Sequence, residues 1–301
     1  MCIRDRVTDA QGIMDAPTSS KTRILFSVND YNREGHGEDL RVSIGRALTT
    51  NVKRTVLQDI PRTPEHFMST VLGEMLLSDV VVLDDSSSDV NNDTETLILL
   101  GISYALQRPC ALLYVVNNSQ DLPRINCSLT PNNFKRTFGS YLELVSEFLP
   151  SIEGWFAQDI HWPTRERNSR FIHAFSVFGA DPVAALDLRR VINEFGHESG
   201  WSAMYCDQPN YSSSISDLSR AVCVPPFSIF CLTNNGDNSV FVGIGIAIGM
   251  GIPFLVLQSD TVTLPEILHK YNGVISYKSY SELVESCLLY TSPSPRDGLL
   301  S

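Results

Sequence analysis

Short apolar runs alternate with helical patterns along the first half of the chain. Strands are predicted at residues 23–28, 52–57, 80–83 and 110–116. Between them, apolar positions at three- and four-residue spacing predict helices at residues 38–48, 64–77 and 94–106. Strands this short and this apolar, separated by helices, are typical of a parallel sheet that is covered on both faces.

The second half of the chain repeats this order. In each half an Asp lies eight residues before a Gly, and a Pro follows that Gly by eight: Asp93, Gly101 and Pro109, then Asp237, Gly245 and Pro253. Phe-Ser-Val occurs at 26–28 and 175–177, Asp-Leu-Arg at 39–41 and 187–189, and similar Ser-Tyr segments at 140–147 and 279–286. Matches in the same order at the start, middle and end of each half predict a tandem duplication.

We therefore predict an α/β protein with two tandem doubly wound, flavodoxin-like parallel-sheet domains. A chain of 301 residues is at the upper limit for a single hydrophobic core, so its length agrees with two domains. The domains are predicted at residues 21–149 and 170–286, with a linker at 150–169. Residues 1–20 and 287–301 look like translated sequencing linker, and we expect a disordered or artefactual N-terminus and an artefactual tail.

Composition and charge narrow the classes of partner. The chain is 43% hydrophobic and 19% charged, as in ordinary globular proteins. Its net charge of −11 argues against a nucleic-acid binder, which needs clustered Lys and Arg. Seven cysteines form no C-x-x-C pair, which favours a reduced, cytoplasmic chain. No basic segment followed by an apolar run is present, so no signal peptide is expected. A small-molecule or protein partner is expected.

A long uncharged run at residues 238–259 is interpreted as a helix and a buried strand, because glycines and Pro253 interrupt it. We therefore predict no membrane partner. The glycine-rich part does not open a helix directly after a strand, so it does not fit a dinucleotide fingerprint. We expect Gly243, Ala247 and Gly251 to form a small-residue face packed on the sheet. No metal spacing, serine-nucleophile elbow or phosphate loop occurs, and no cofactor is predicted.

Polar loops follow the predicted first and third strands of each half. In doubly wound sheets, ligands bind beyond the carboxyl ends of the strands, where the strand order reverses. Carboxylates and amides there could hold sugar hydroxyls or, less favourably, a cation such as Mg²⁺. The alternative is a solvated turn in which Asp93 or Thr94 caps the next helix. The candidate ligand-binding residues in these loops are Asn29, Asp84, Asp93, Asn234 and Asp237.

The central motif resembles that of the nucleoside 2-deoxyribosyltransferase-like superfamily. In that pattern a strand ending in Asp and a polar loop precede D-x-G-T-x-x-E-x-G-x-A and a Pro-led strand. Asp84 resembles the Asp that ends the strand, and Asp93, Thr96 and Gly101 resemble the D, T and final G. In the second half, Asp237, Gly245 and Ala247 match. The resemblance implies a nucleoside or nucleotide ligand, with Thr96 added to the binding residues.

The family's nucleophilic Glu is missing from both halves. It lies two residues before the final Gly, where this chain has Leu99 and Gly243. Cleavage of an N-glycosidic bond needs a carboxylate that stabilises or traps an oxocarbenium-like state. We therefore predict a catalytically degenerate protein, a pseudoenzyme that binds a nucleoside or nucleotide as a binding or regulatory module.

Two alternatives remain open. One is an active N-glycosidic-bond hydrolase or transferase in which Glu95, four residues before Leu99, is the catalytic carboxylate of the first domain. One helical turn would displace Glu95 by about 6 Å from the position of the family's Glu. The other alternative is that the duplication reproduces a homodimer within one chain, which leaves each copy free to pair with further chains as a homo-oligomer.

Overall fold

The computed structural model describes residues 22–27, 52–56, 67–84, 90–115, 135–138, 173–180, 185–206, 214–233, 239–269, 271, 273–279 and 281–283. The strands are β1 (Thr22–Ser27), β2 (Val52–Val56), β3 (Val80–Asp84), β4 (Cys110–Val115), β5 (Lys135–Phe138), β6 (Ala174–Phe178), β7 (Ser202–Tyr205), β8 (Ser228–Leu232), β9 (Phe254–Ser259) and β10 (Val274–Tyr277). The helices are α1 (Phe67–Leu77), α2 (Val90–Ala105), α3 (Leu186–Ser199), α4 (Ile215–Cys223) and α5 (Ser239–Met250), with a 3₁₀ turn at Glu266–Leu268.

The strands form two five-stranded parallel sheets with the same strand order. Sheet A has the order β2-β1-β3-β4-β5, and sheet B, read from its other edge, has the order β7-β6-β8-β9-β10. Numbered within each sheet, both orders are 2-1-3-4-5, which is the flavodoxin-like order. The parallel α/β architecture predicted from the sequence is therefore confirmed.

Equivalent hydrogen bonds set the register of the two sheets. The Val81 N–H donates to the carbonyl oxygen of Pro109 over 2.9 Å, and the Ser228 N–H donates to that of Pro253 over 3.1 Å. Pro109 and Pro253 precede β4 and β9. Val81 and Ser228 thus occupy the same place in the two sheets.

The first strand of each sheet lies in a different register from the one that sequence matching suggests. Leu25 pairs with Val81, and Ser176 pairs with Ser228, so Leu25 and Ser176 are equivalent. On this register Phe26 corresponds to Val177, whereas the Phe-Ser-Val match aligned it with Phe175. A shift of two residues keeps every side chain on its own face of the sheet, so the hydrophobic pattern could not reveal it.

Helices cover sheet B on both faces. On one face, alternate residues of β6 and β8 pack under α3, among them Phe175, Val177, Ile229 and Cys231. On the other face, Phe178, Phe230 and Leu232 pack under α4 and α5. The core on this second face continues through α2 and α1 to Leu25, Val81 and Leu83 of sheet A. Both sheets therefore contribute to one apolar core, with α2 packed directly against α5.

The uncharged run at residues 238–259 forms α5 and β9, as the sequence predicted. α5 contains no charged residue, and every residue from Ser239 to Gly249 is buried. Among the described residues, no helix combines the length and the apolar character that crossing a membrane requires.

The small residues of α5 face two directions, which corrects the prediction of one small-residue face. A Cβ built on Gly243 would lie 2.9 Å from Cε1 of Phe230, so this glycine does face the sheet. Gly251 follows the helix with a φ of +63° and belongs to no helical face. Gly245 and Gly249 instead face α2.

Candidate functional site

The predicted site in sheet A lies where the strand order reverses between β1 and β3. Ser27, the last residue of β1, pairs with Leu83, and Asp84 is the last residue of β3. Asp84 thus stands at the carboxyl end of the strand pair beyond which doubly wound sheets hold their ligands. Asn29, in the loop after β1, lies outside the described residues.

Helix α2 begins earlier than the sequence predicted, and this changes the setting of two candidates. Its first residue is Val90, so Asp93 and Thr94 lie within the helix, and the expectation that one of them caps it is wrong. Asp93 is the fourth helical residue. Thr96 lies further along α2 and is 2% exposed. Its hydroxyl is therefore part of the packed helix rather than of the strand-end loop.

Glu95 lies on α2, four residues before Leu99, as expected. Its side chain is half-buried, and its Oε1 atom is buried. Glu95 lies six residues before Gly101, and Ser239 lies six residues before the equivalent Gly245. The equivalent position on α5 is therefore the buried Ser239, and the carboxylate is not repeated in the second half.

The two positions that would carry the family's nucleophile are filled by apolar packing. Leu99 is 1% exposed in the shared core. Gly243 lies against the ring of Phe230, and even a Cβ at that position would be 2.9 Å from the ring. A carboxylate at either position would be held inside the protein.

At the carboxyl end of β6, sheet B has aromatic packing and a close backbone approach. Phe178 stacks on Phe230 with ring centroids 5.0 Å apart and an interplanar angle of 17°. Gly179 follows with a φ of +75°, and a Cβ on it would overlap the Cys231 carbonyl oxygen. Asn234 and Asp237, the predicted polar residues of this end, lie outside the described residues.

Arg189 is a residue at this end of sheet B that sequence reasoning missed. Its Nε donates to the carbonyl oxygen of Ala180 over 2.6 Å, and its guanidinium carbon lies 4.1 Å from the centroid of the Tyr205 ring. The Tyr205 hydroxyl lies 3.0 Å from the Arg189 carbonyl oxygen and 2.9 Å from Oδ1 of Asn193. This cluster fixes the backbone that leaves β6. The repeated Asp-Leu-Arg motif was the signal that could have identified it.

Two further titratable side chains, Tyr104 and Arg108, lie at the C-terminal end of α2 and make hydrogen bonds within the protein. Burial raises the pKa of the Tyr104 hydroxyl, which bonds Ser216 of α4. Burial lowers the pKa of Arg108, against the opposing effect of Asp79, and its Nη2 donates to the Leu76 carbonyl oxygen over 2.7 Å.

The described cysteines do not supply a nucleophile. Burial raises the pKa of the Cys110 thiol to about 12, so the thiol stays protonated at neutral pH. The other described cysteines, Cys206, Cys223 and Cys231, are also buried and form no disulfide. In the same part of the chain, no three His, Cys, Asp or Glu side chains are grouped so as to hold a metal ion.

No protein-family model matches the chain, and no curated protein matches it either. The resemblance to the deoxyribosyltransferase-like superfamily therefore rests on the residues of the central motif and remains a prediction.

Proposed function

We propose that this chain is a nucleoside- or nucleotide-binding protein made of two tandem flavodoxin-like domains, and that it does not cleave the glycosidic bond. The observation that carries the proposal is the apolar packing of Leu99 and Gly243. Because each lies where the resembling family has its nucleophile, neither half can present a carboxylate there.

The division into tandem domains is supported by the geometry of the two sheets. Their strand orders agree, and the hydrogen bonds that join β3 to Pro109 and β8 to Pro253 have the same place in each. Each sheet has its own reversal of strand order, so each domain has one place where a ligand would be expected.

The first domain is the better candidate for ligand binding. Asp84 ends β3 at the strand reversal of sheet A, and its carboxylate could accept hydrogen bonds from ribose hydroxyls. By contrast, the described part of the equivalent end of sheet B contains the stacked rings of Phe178 and Phe230. One ligand per chain, held at the sheet A end, is the expected stoichiometry.

The competing function is an N-ribosyl or deoxyribosyl transferase or hydrolase that uses Glu95. The observation that favours it is the half-buried setting of this side chain, with Oε1 buried, one turn before Leu99 on α2. A carboxylate removed from bulk water is the kind of group that glycosidases use. In that case Glu95→Gln would abolish turnover.

Thermal unfolding with and without ligand tests the binding proposal. The full chain is expected to melt at a higher temperature with at least one of a panel of deoxynucleosides, nucleotides and NAD. A free ligand concentration 100-fold above Kd would raise the free energy of unfolding by about 2.7 kcal/mol. Asp84→Asn should lose most of this shift, whereas Glu194→Gln on the exposed face of α3 should keep it. A panel that gives no shift for the folded wild type would refute the binding function.

Chromatographic detection of free base separates the two functions. For the wild-type chain, no base above background is expected after incubation with the same panel. Base release that disappears in Glu95→Gln would replace the binding proposal by the enzymatic one. Release that survives Glu95→Gln would overturn both the binding proposal and the assignment of Glu95 as the catalytic carboxylate.

A further inference from the structure

Two glycines meet where α2 packs on α5. A Cβ built on Gly101 would overlap the Val242 carbonyl oxygen and lie 2.9 Å from the Cα of Gly245. A Cβ built on Gly245 would overlap the Ile98 carbonyl oxygen and lie 2.9 Å from the Cα of Gly101. The two backbones therefore touch, and only glycine fits at either position.

The atoms in contact are the same on both helices. Val242 lies three residues before Gly245, and Ile98 lies three before Gly101. Each glycine also faces the backbone nitrogen that follows the other: a Cβ on Gly101 would be 2.9 Å from the Ile246 nitrogen. For Gly245, the distance to the Ile102 nitrogen is also 2.9 Å. The contact is reciprocal atom by atom.

The next turn of each helix shows the direction of packing. A Cβ on Gly249 would lie 2.6 Å from the Cβ of Ala105, and these residues follow Gly245 and Gly101 by four. Because equivalent residues meet at both turns, α2 and α5 run in the same direction along the contact. The N-terminal ends of α2 and α5 therefore lie at the same end of the helix pair.

Contacts in which equivalent atoms of two elements meet each other are typical of a two-fold interface. In an isologous contact, residue i of one subunit touches residue j of the other and j touches i, with equivalent residues meeting at the axis. We propose that α2 and α5 form an isologous interface, of the kind that joins two identical subunits, closed here within one chain. The partner that fits each helix is its own counterpart in the other half. The proposal does not depend on which ligand the strand-end loops bind.

An exchange of residues across the contact tests this assignment. Gly249→Ala alone places two methyl groups against each other and should increase the unfolding equilibrium constant on the order of tenfold or more. Adding Ala105→Gly recreates the native pair with its sides exchanged. If the contact is two-fold, the exchanged chain should recover to within a few-fold of wild type, measured by urea unfolding. Failure of Ala105→Gly to restore stability would overturn the proposal.

Gly243→Ala is the matched control. It adds the same methyl group to the same helix, but toward Phe230 of sheet B rather than toward α2. Ala105→Gly should not rescue it, because the two changes lie on different contacts. Rescue of Gly243→Ala would show a general effect of Ala105→Gly and would also overturn the assignment.

Cleavage of the folded chain provides a second measurement that needs no substitution in the core. A protease site inserted near residue 160 allows the peptide between β5 and β6 to be cut after folding. The two fragments are expected to elute together from a sizing column, as the subunits of a dimer would. Fragments that separate under native conditions at micromolar concentration would contradict a subunit-type interface.

Discussion

At the scale of single residues, two glycines with nearly equal φ angles differ in the space around them. Gly179 has a φ of +75° and Gly200 a φ of +71°. A Cβ on Gly179 would overlap the Cys231 carbonyl oxygen, whereas one on Gly200 would have no neighbour within 4 Å. Gly200 ends α3, and Gly179 carries the chain away from β6 toward the loop of sheet B.

Replacing each glycine by alanine should separate conformational strain from close approach. Gly200→Ala should lower the free energy of unfolding by about 1–2 kcal/mol, the strain of a left-handed backbone. Gly179→Ala also places a side chain at a positive φ and must in addition displace β8, which should add at least about 1–3 kcal/mol. Urea unfolding of both variants measures the difference. Equal losses would mean that β6 and β8 can separate freely at this end.

The Cys110 thiol gives the protein a pH dependence at alkaline pH. The pKa of this thiol is about 12 in the folded state because burial disfavours the thiolate, against an ordinary value of 9.0. Between these values the unfolded state binds fewer protons than the folded state, so the free energy of unfolding falls as pH rises. Below about pH 9 the thiol is protonated in both states and has no effect.

The expected slope is a loss of roughly 1.4 kcal/mol per pH unit above pH 9. Urea unfolding at about pH 8, 9.5 and 10.5 measures it, and Cys110→Ala should flatten the profile. Some slope should persist in that variant, because burial also raises the pKa of Tyr104. A profile unchanged by Cys110→Ala would mean that this thiol is not shielded from water.

At the scale of elements, α5 should be the most protected helix of the described chain. It is buried from Ser239 to Gly249 between sheet B and α2, whereas α3 exposes side chains such as Arg190 and Glu194 to solvent. Amides of α5 should therefore exchange with solvent only when the whole molecule unfolds, and those of α3 should also exchange through local opening. Hydrogen exchange followed by mass spectrometry tests this order. Faster exchange in α5 than in α3 would contradict the packing.

The elements also show what the sequence could predict. Strands β1 to β4 were predicted to within one residue, because short apolar runs bounded by turn residues have few other interpretations. The start of α2 was missed by four residues. Its first turn contains Asn91, Asn92 and Asp93, residue types that favour caps and loops over helix interiors.

The packing of α5 could not be predicted for a different reason. A helix that is apolar on every side has no hydrophobic face, so nothing in the spacing showed that Gly245 faces α2 while Gly243 faces Phe230. For the candidate site, the sequence placed Asp84 at the end of β3 correctly. It could not show that the equivalent strand end of sheet B contains packed aromatic rings, because that depends on the pairing of Phe178 with Phe230.

At the scale of the whole molecule, the described parts of the two sheets are joined through their helices, and their described edge strands do not pair with each other. The edge strands described for sheet A are β2 and β5, and those of sheet B are β7 and β10. Sheet pairing therefore ends within each sheet, and the shared core passes through α2 and α5. Any relative movement of the sheets would have to disturb the glycine contact between these helices.

Closure of the α2–α5 contact within one polypeptide changes how the pairing responds to dilution. Two separate subunits dissociate when their concentration falls below the dissociation constant, whereas partners joined in one chain meet at an effective concentration that dilution does not change. The pairing of this chain is therefore independent of how much of the protein is present. A modest interface is then enough to keep the two halves together, even at a few copies per cell.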